Sequence, residues 1–422
     1  MLNKILNTFG TRLLSAMLNL LITILISQFL GPEGKGEQGI IIATIAYILV
    51  FVNLMGGSAI VYLVPRFPVS VIILPAYLWT VLTSILFYGF LQLSTLVSEG
   101  MIIHVCILSA ISAFTTINSS VLIGKEKIAI SNLVNFIQPL IITLLLIVFF
   151  FYLGKNTIES YIISLYISFS AGFIVSLIYL KRFTDKFELA DISSYKTIIS
   201  NLFRYGLLNQ LAHIFQLLSF RMSYYWLEQT YSSAEVGIYS NGTSLVESIW
   251  LISRSICLVQ YARIANSADL EYSQKLTLQL NWASLIISFI GLLFMVMLPS
   301  RFFIFLYGEG FGEVSSVIRA LAPGVLFFNT ALIIGHYFSG IGKYYVNTIS
   351  SFAGLLFAVL FFRLLIPVYG ITGAGWATTI SHLITSLTVV WFFSRESKIK
   401  LKNSFPSMTD IKLIFSTLRV KK

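Results

Sequence analysis

The chain has 422 residues, of which 57% are hydrophobic and 11% charged, and a formal net charge of +11; its mean hydropathy is +0.87. Soluble proteins carry roughly a quarter charged residues, so a soluble globular enzyme is excluded. An outer-membrane barrel is excluded too, because its strands alternate strictly over ~10 residues, whereas here whole helical turns are apolar on every face.

An α-helix needs about 20 apolar residues to cross ~30 Å of hydrocarbon. About twelve runs of that kind follow one another, at 6–30, 40–63, 70–92, 101–123, 128–153, 158–180, 204–227, 236–261, 282–299, 317–340, 345–367 and 372–393. The first is too long for a signal peptide, carries Arg12 and is followed by no small-residue cleavage site, so it reads as a retained span. The two cysteines, Cys106 and Cys257, fall in separate apolar runs and offer neither a disulfide framework nor a metal site of the usual spacing. Connections are short, and the longest, 181–203 and 262–281, are also the most charged.

Basic residues near span ends set orientation. With a cytoplasmic N-terminus, 21 of the 28 Lys and Arg residues lie inside, four outside and three within spans, so both termini are expected in the cytoplasm. The positive charge therefore reports topology, since basic residues scattered over inner loops form no groove for nucleic acid. The tail, 395–422, is basic and also carries apolar residues such as Ile411 and Phe415; it either lies on the anionic inner leaflet or is solvated.

An internal repeat bears on mechanism, because many transporters are built from two related bundles. After the first span the chain reads Leu30-Gly31-Pro32-Glu33-Gly34-Lys35-Gly36-Glu37, and after the seventh Ser233-Ala234-Glu235-Val236-Gly237-Ile238-Tyr239-Ser240. Each passage is expected to be a tight outer turn with glycine just before the next helix. A second pair, Gly124-Lys125 and Gly342-Lys343, follows spans four and ten. These offsets predict six spans per half in parallel order, with an N-terminal lobe over 1–200 and a C-terminal lobe over 201–394.

These turns, with Gly370-Ile371-Thr372-Gly373-Ala374-Gly375-Trp376-Ala377-Thr378, resemble the polysaccharide and O-antigen flippases of the multidrug/oligosaccharidyl-lipid/polysaccharide (MOP) exporter superfamily. The resemblance covers essentially the whole chain. It implies an all-α membrane protein, a MATE-like V-shaped pair of six-helix lobes around a cavity that opens alternately to each side of the bacterial inner membrane. The implied cargo is a polyprenyl-pyrophosphate-linked oligosaccharide, an O-antigen or capsule repeat unit. Glycan polymerase and chain-length regulators are the implied neighbours, with no cofactor beyond a proton or sodium gradient. Family members often carry Arg-x-Asp in span seven; here it reads Arg221-Met222-Ser223, which puts proton coupling through that position in doubt.

An ionisable residue at mid-bilayer costs roughly 2.5–3.5 kcal/mol on insertion scales and marks a functional interior position by default. Glu247 is the acid that falls well inside a span, and it is either functional or a neutral carboxyl bonded between helices. Arg254 lies seven residues on, nearly two helical turns, so the two are expected to line one polar surface; the alternative is that Arg254 snorkels to the interface. Arg221 stands among Tyr224, Tyr225 and Trp226, as a site residue or an interfacial anchor, and Arg12 and Arg363 lie nearer the interfaces. Arg221, Arg254, Glu247 and Arg12 are the candidate cargo contacts. This excess of arginine suits a pyrophosphate, which guanidinium binds through a planar fork of donors. Walker-type phosphate loops and zinc-ligand spacings are absent. The runner-up functions are a MATE-type drug or small-solute antiporter and a membrane-embedded O-antigen polymerase, which usually carries a sizeable outer loop.

Overall fold

The computed structural model describes the backbone of residues 2–183, 192–265 and 269–397, and their side chains except at 2–9, 58, 192–194, 205, 208, 209, 258, 259, 262 and 265. Most of the basic tail thus lies outside the described residues. Thirteen α-helices and no strand occur among them. They are α1 (Leu2–Val52), α2 (Gly57–Leu63), α3 (Val69–Leu93), α4 (Glu99–Gly124), α5 (Ile128–Ile147), α6 (Ile158–Phe183), α7 (Ile192–Thr230), α8 (Ser233–Ser248), α9 (Trp250–Ala265), α10 (Leu270–Met297), α11 (Ser300–Tyr307), α12 (Val314–Gly340) and α13 (Tyr345–Glu396).

Eight helical segments are long and apolar enough to cross a membrane, and two of these run for 54 and 52 residues. Straight, each would measure about 80 Å at 1.5 Å per residue, more than twice the hydrocarbon thickness. Both are broken by a glycine in the left-handed region, Gly31 (φ 68°) in α1 and Gly370 (φ 56°) in α13. Any other L-residue there pays roughly 1–2 kcal/mol. At Gly370 the chain turns back on itself, because a Cβ on Gly373 would overlap the Leu365 carbonyl oxygen, which a straight helix would hold about 12 Å away. The main-chain carbonyls of Ile366 and Pro367, just before the break, both accept from the Tyr231 hydroxyl at 3.1 Å. Helix therefore occupies each of the twelve expected segments.

Several boundaries differ from expectation. Span eight is two helices, α8 and α9, parted at Ile249. The charged connections are largely helical, since α7 starts at Ile192 and α10 at Leu270. A short helix, α11, fills part of the connection between spans nine and ten.

The chain divides into two compact units, and the division falls inside α7, between Ile214 and Phe215. Unit 1 comprises Met1–Ile214 with the short segments Ser232–Gly237 and Phe305–Gly310. One of its apolar clusters joins Met55, Ile60 and Leu63 to Ile72, Ile117, Val121 and Leu202. The two turns that repeat in sequence meet within this unit: a Cβ on Gly36 would overlap the Ser233 carbonyl, and one on Gly237 the Pro32 carbonyl. Both glycines lie inside helices rather than before them. Their role is close backbone approach.

Unit 2 comprises Phe215–Tyr231, Ile238–Ile304 and Phe311–Lys422. Its core is aromatic, with Phe220, Trp250 and Phe328 ringing His382 at centroid distances of 4.9–5.6 Å. In both units the outward faces are apolar and inward ones partly polar. On α3, Leu78, Val81, Leu82, Ile85 and Leu86 are exposed at helical spacing while Thr80 and Thr83 are buried. That pattern, the reverse of a soluble amphipathic helix, is what a lipid-facing helix requires. The protein is a multi-pass membrane protein.

Candidate functional site

Two ionisable side chains from the expected set come together in unit 2. Arg221 on α7 donates from Nη1 to Glu247 Oε1 (2.8 Å) and from Nη2 to Oε2 (2.7 Å) across to α8. The fork is bidentate, the strongest neutral-sum arrangement available to these groups. Neither side chain is sealed, at 23% and 21% exposed. An in-span acid needs a cation or a proton, and the tight turn between α7 and α8 lets this cation come from the neighbouring helix.

The pair stands on a rigid polar and aromatic base. The Arg221 guanidinium carbon is 5.5 Å from the ring centroid of Tyr224, a favourable cation–π arrangement. Tyr224 packs edge-on against Tyr239 at 5.8 Å, and the Tyr239 hydroxyl is hydrogen-bonded to Thr378 Oγ1 at 2.9 Å. Two of the sequence motifs thus meet, Val236–Ser240 and Gly370–Thr378. Small residues permit it: a Cβ on Gly375 would come within 2.7 Å of the Ala320 Cβ, and one on Gly242 within 2.6 Å of Val317.

The other candidates are not drawn into this pair. Arg254 is exposed on α9, beyond the break at Ile249, so the simple two-turn spacing from Glu247 does not hold. It lies within electrostatic reach of His336. Arg12 on α1 and Arg363 on α13 are also exposed. None of these three has a carboxylate within ion-pair distance among the described residues, where the two ion pairs are Arg221–Glu247 and Lys343–Glu396. The sequence reading set Glu247 and Arg254 on one polar surface and did not join Glu247 to Arg221, which the structure does. Among the described residues no group of three His, Cys, Asp or Glu side chains could hold a metal.

No family model matches the chain. A stretch of 174 residues, 40% of this chain, is 27% identical to the capsular polysaccharide biosynthesis protein CapF of Staphylococcus aureus. The match spans only 43% of CapF. Over its whole length the chain is similar to the lipid II flippase MurJ in an inward closed conformation, with a TM-score of 0.73, 17% identity and 94% of that chain covered. A MATE multidrug resistance transporter of the MOP superfamily, inward-facing, gives a TM-score of 0.72 at 14% identity, covering 90% of this chain and 94% of the other. A MOP-superfamily transporter from Pyrococcus furiosus gives 0.60 at 15% identity, covering 93% and 94%. At such identities the likeness is one of fold, and these neighbours are transporters. The chain therefore carries the helical fold of the MOP-superfamily exporters.

Proposed function

We propose that this protein is a flippase that carries a polyprenyl-pyrophosphate-linked oligosaccharide across the bacterial inner membrane by alternating access, with both termini in the cytoplasm. The observation that carries the reading is the likeness of the entire chain to a lipid II flippase, MurJ. The partial match to CapF, a capsular polysaccharide biosynthesis protein, supports a glycan cargo.

In this reading the Arg221–Glu247 pair is the headgroup switch. A carboxylate and a phosphate oxygen pair accept the same planar fork, so Glu247 holds Arg221 in a geometry that a pyrophosphate can take over. A proton on Glu247 removes the charge that retains the fork and frees the guanidinium, and a proton gradient would couple at that step. Arg254 and Arg12, exposed and without a carboxylate partner among the described residues, supply further contacts to the anion. A glycan polymerase and chain-length regulators would act on the product.

A MATE-type drug antiporter is the second reading, favoured by the TM-score of 0.72 to such a transporter. Deleting the gene in its host and scoring two phenotypes separates them. The flippase reading expects surface glycan to be lost, restored by the intact gene and not by Arg221→Ala. Unchanged glycan with heightened drug sensitivity would favour the antiporter instead.

A further inference from the structure

Inside unit 2, α9, α10 and α12 meet along a seam that is polar where a soluble core would be apolar. The buried face of α10 is formed by Gln274, Thr277, Asn281, Ser284 and Ser288, while Ile286, Phe289, Ile290 and Phe294 on the same helix are exposed. From α9, Gln260 Nε2 donates to Thr277 Oγ1 at 3.0 Å. One level along, Asn329 Oδ1 of α12 accepts from Ser284 at 3.0 Å and from Ser253 of α9.

That network is incomplete. Gln260 Oε1, Asn281 Oδ1, Ser288 Oγ and Asn329 Nδ2 are buried with no hydrogen-bond partner among the described residues. Gln260, Ser288 and Asn329 are 0% exposed and Asn281 8%. Thr277, Asn281, Ser284 and Ser288 succeed one another at three- and four-residue steps on α10, so they share one face. Gln260 and Asn329 are fixed against that face by their bonds to Thr277 and Ser284. The orphan set is complementary: an amide donor, two amide acceptors and a hydroxyl that can do either. In a bilayer no solvent reaches such groups from outside, and buried water typically makes about three hydrogen bonds to otherwise unsatisfied polar atoms.

We propose that this seam binds more than one ordered water, one accepting from Asn329 Nδ2 at the Ser284 level and another donating to Gln260 Oε1 at the Thr277 level, with Asn281 Oδ1 between the two. Bonds to water re-form readily when a helix shifts, so hydration makes the α9 interface compliant next to the break at Ile249. Cys257, fully buried and one turn from both Ser253 and Gln260, is a natural reporter.

The test uses the full chain in lipid nanodiscs. Asn281→Leu keeps the branched shape and the number of side-chain heavy atoms and removes the amide. With water bound, it strips partners from the water and from Gln260 and Asn329, and the melting temperature falls by several degrees. In a dry seam it deletes one unsatisfied group, and the melting temperature rises or stays level, which would overturn the site. In parallel, an X-ray pulse in isotopically labelled water generates hydroxyl radicals from water held beside a side chain. Oxidation of Cys257 is expected despite its burial; an unlabelled Cys257 contradicts the proposal. This second readout uses the unaltered protein, so it decides the matter even if the variant fails to fold.

Discussion

Arg221 and Glu247 form the main ion pair of the C-terminal unit, and their value lies in mutual neutralisation. Removing one partner of a well-buried pair costs ~3–5 kcal/mol because the other charge is stranded, whereas replacing both is often close to neutral. With about a fifth of each side chain exposed, the single loss here is expected at the low end of that range or below it. Arg221→Ala and Glu247→Ala should each lower the melting temperature in detergent more than the double variant does. Equal or additive losses would show that the two side chains act separately. The sequence made both residues visible as in-span charges, since so few acids occur in the apolar runs. It did not show which cation meets the acid, because Arg221 and Glu247 stand at different distances from the turn that joins their helices, and the break at Ile249 is not written in any proline or glycine.

At the scale of elements, glycine decides how closely helices approach. A Cβ on Gly237 would overlap the Pro32 carbonyl, while nothing lies within 4 Å of one on Gly89. Gly237→Val is therefore expected to reduce the yield of folded protein sharply, and Gly89→Ala, near the C-terminal end of α3, to stabilise by at most about 0.5 kcal/mol, both read by size-exclusion and thermal melting. The repeat of turns was legible in sequence, but its physical meaning was not: the glycines serve backbone contact within unit 1, which no local pattern records. The turn before α13 carries a further device. Lys343 Nζ donates to Glu396 Oε2 at 2.6 Å, and this hydrogen bond holds the lysine pKa above its ordinary value. A raised folded-state pKa gives stability that is complete below the unfolded value, about 10.4, and is lost as pH rises through the folded one. The melting difference from Lys343→Met should thus be constant from neutral pH up to the ordinary lysine range and close above it. A difference that closed on acidification alone would assign it to another group.

For the whole molecule, the twelve apolar runs were readable because the bilayer imposes a length and a composition on each span. The two glycine breaks that turn 54- and 52-residue segments into pairs of spans coincide with turns expected from sequence. Less legible were the helical extensions at Ile192 and Leu270, where charge had pointed to open connections; amphipathic and polar faces there pack inward, as Ile198 and Leu202 do in unit 1. The polar α10 seam was hidden for a similar reason, since Ser, Thr and Asn spread through a run leave it apolar enough to cross a membrane. What the chain moves is best decided in purified form. Reconstituted into liposomes loaded with a polyprenyl-pyrophosphate-linked saccharide, the protein should deliver the headgroup to the opposite leaflet, as scored by an impermeant enzyme or lectin, and Arg221→Ala should slow that delivery at least tenfold. Delivery no faster than in protein-free liposomes, or equal rates for the variant and the intact protein, would contradict the assignment of cargo and of switch respectively.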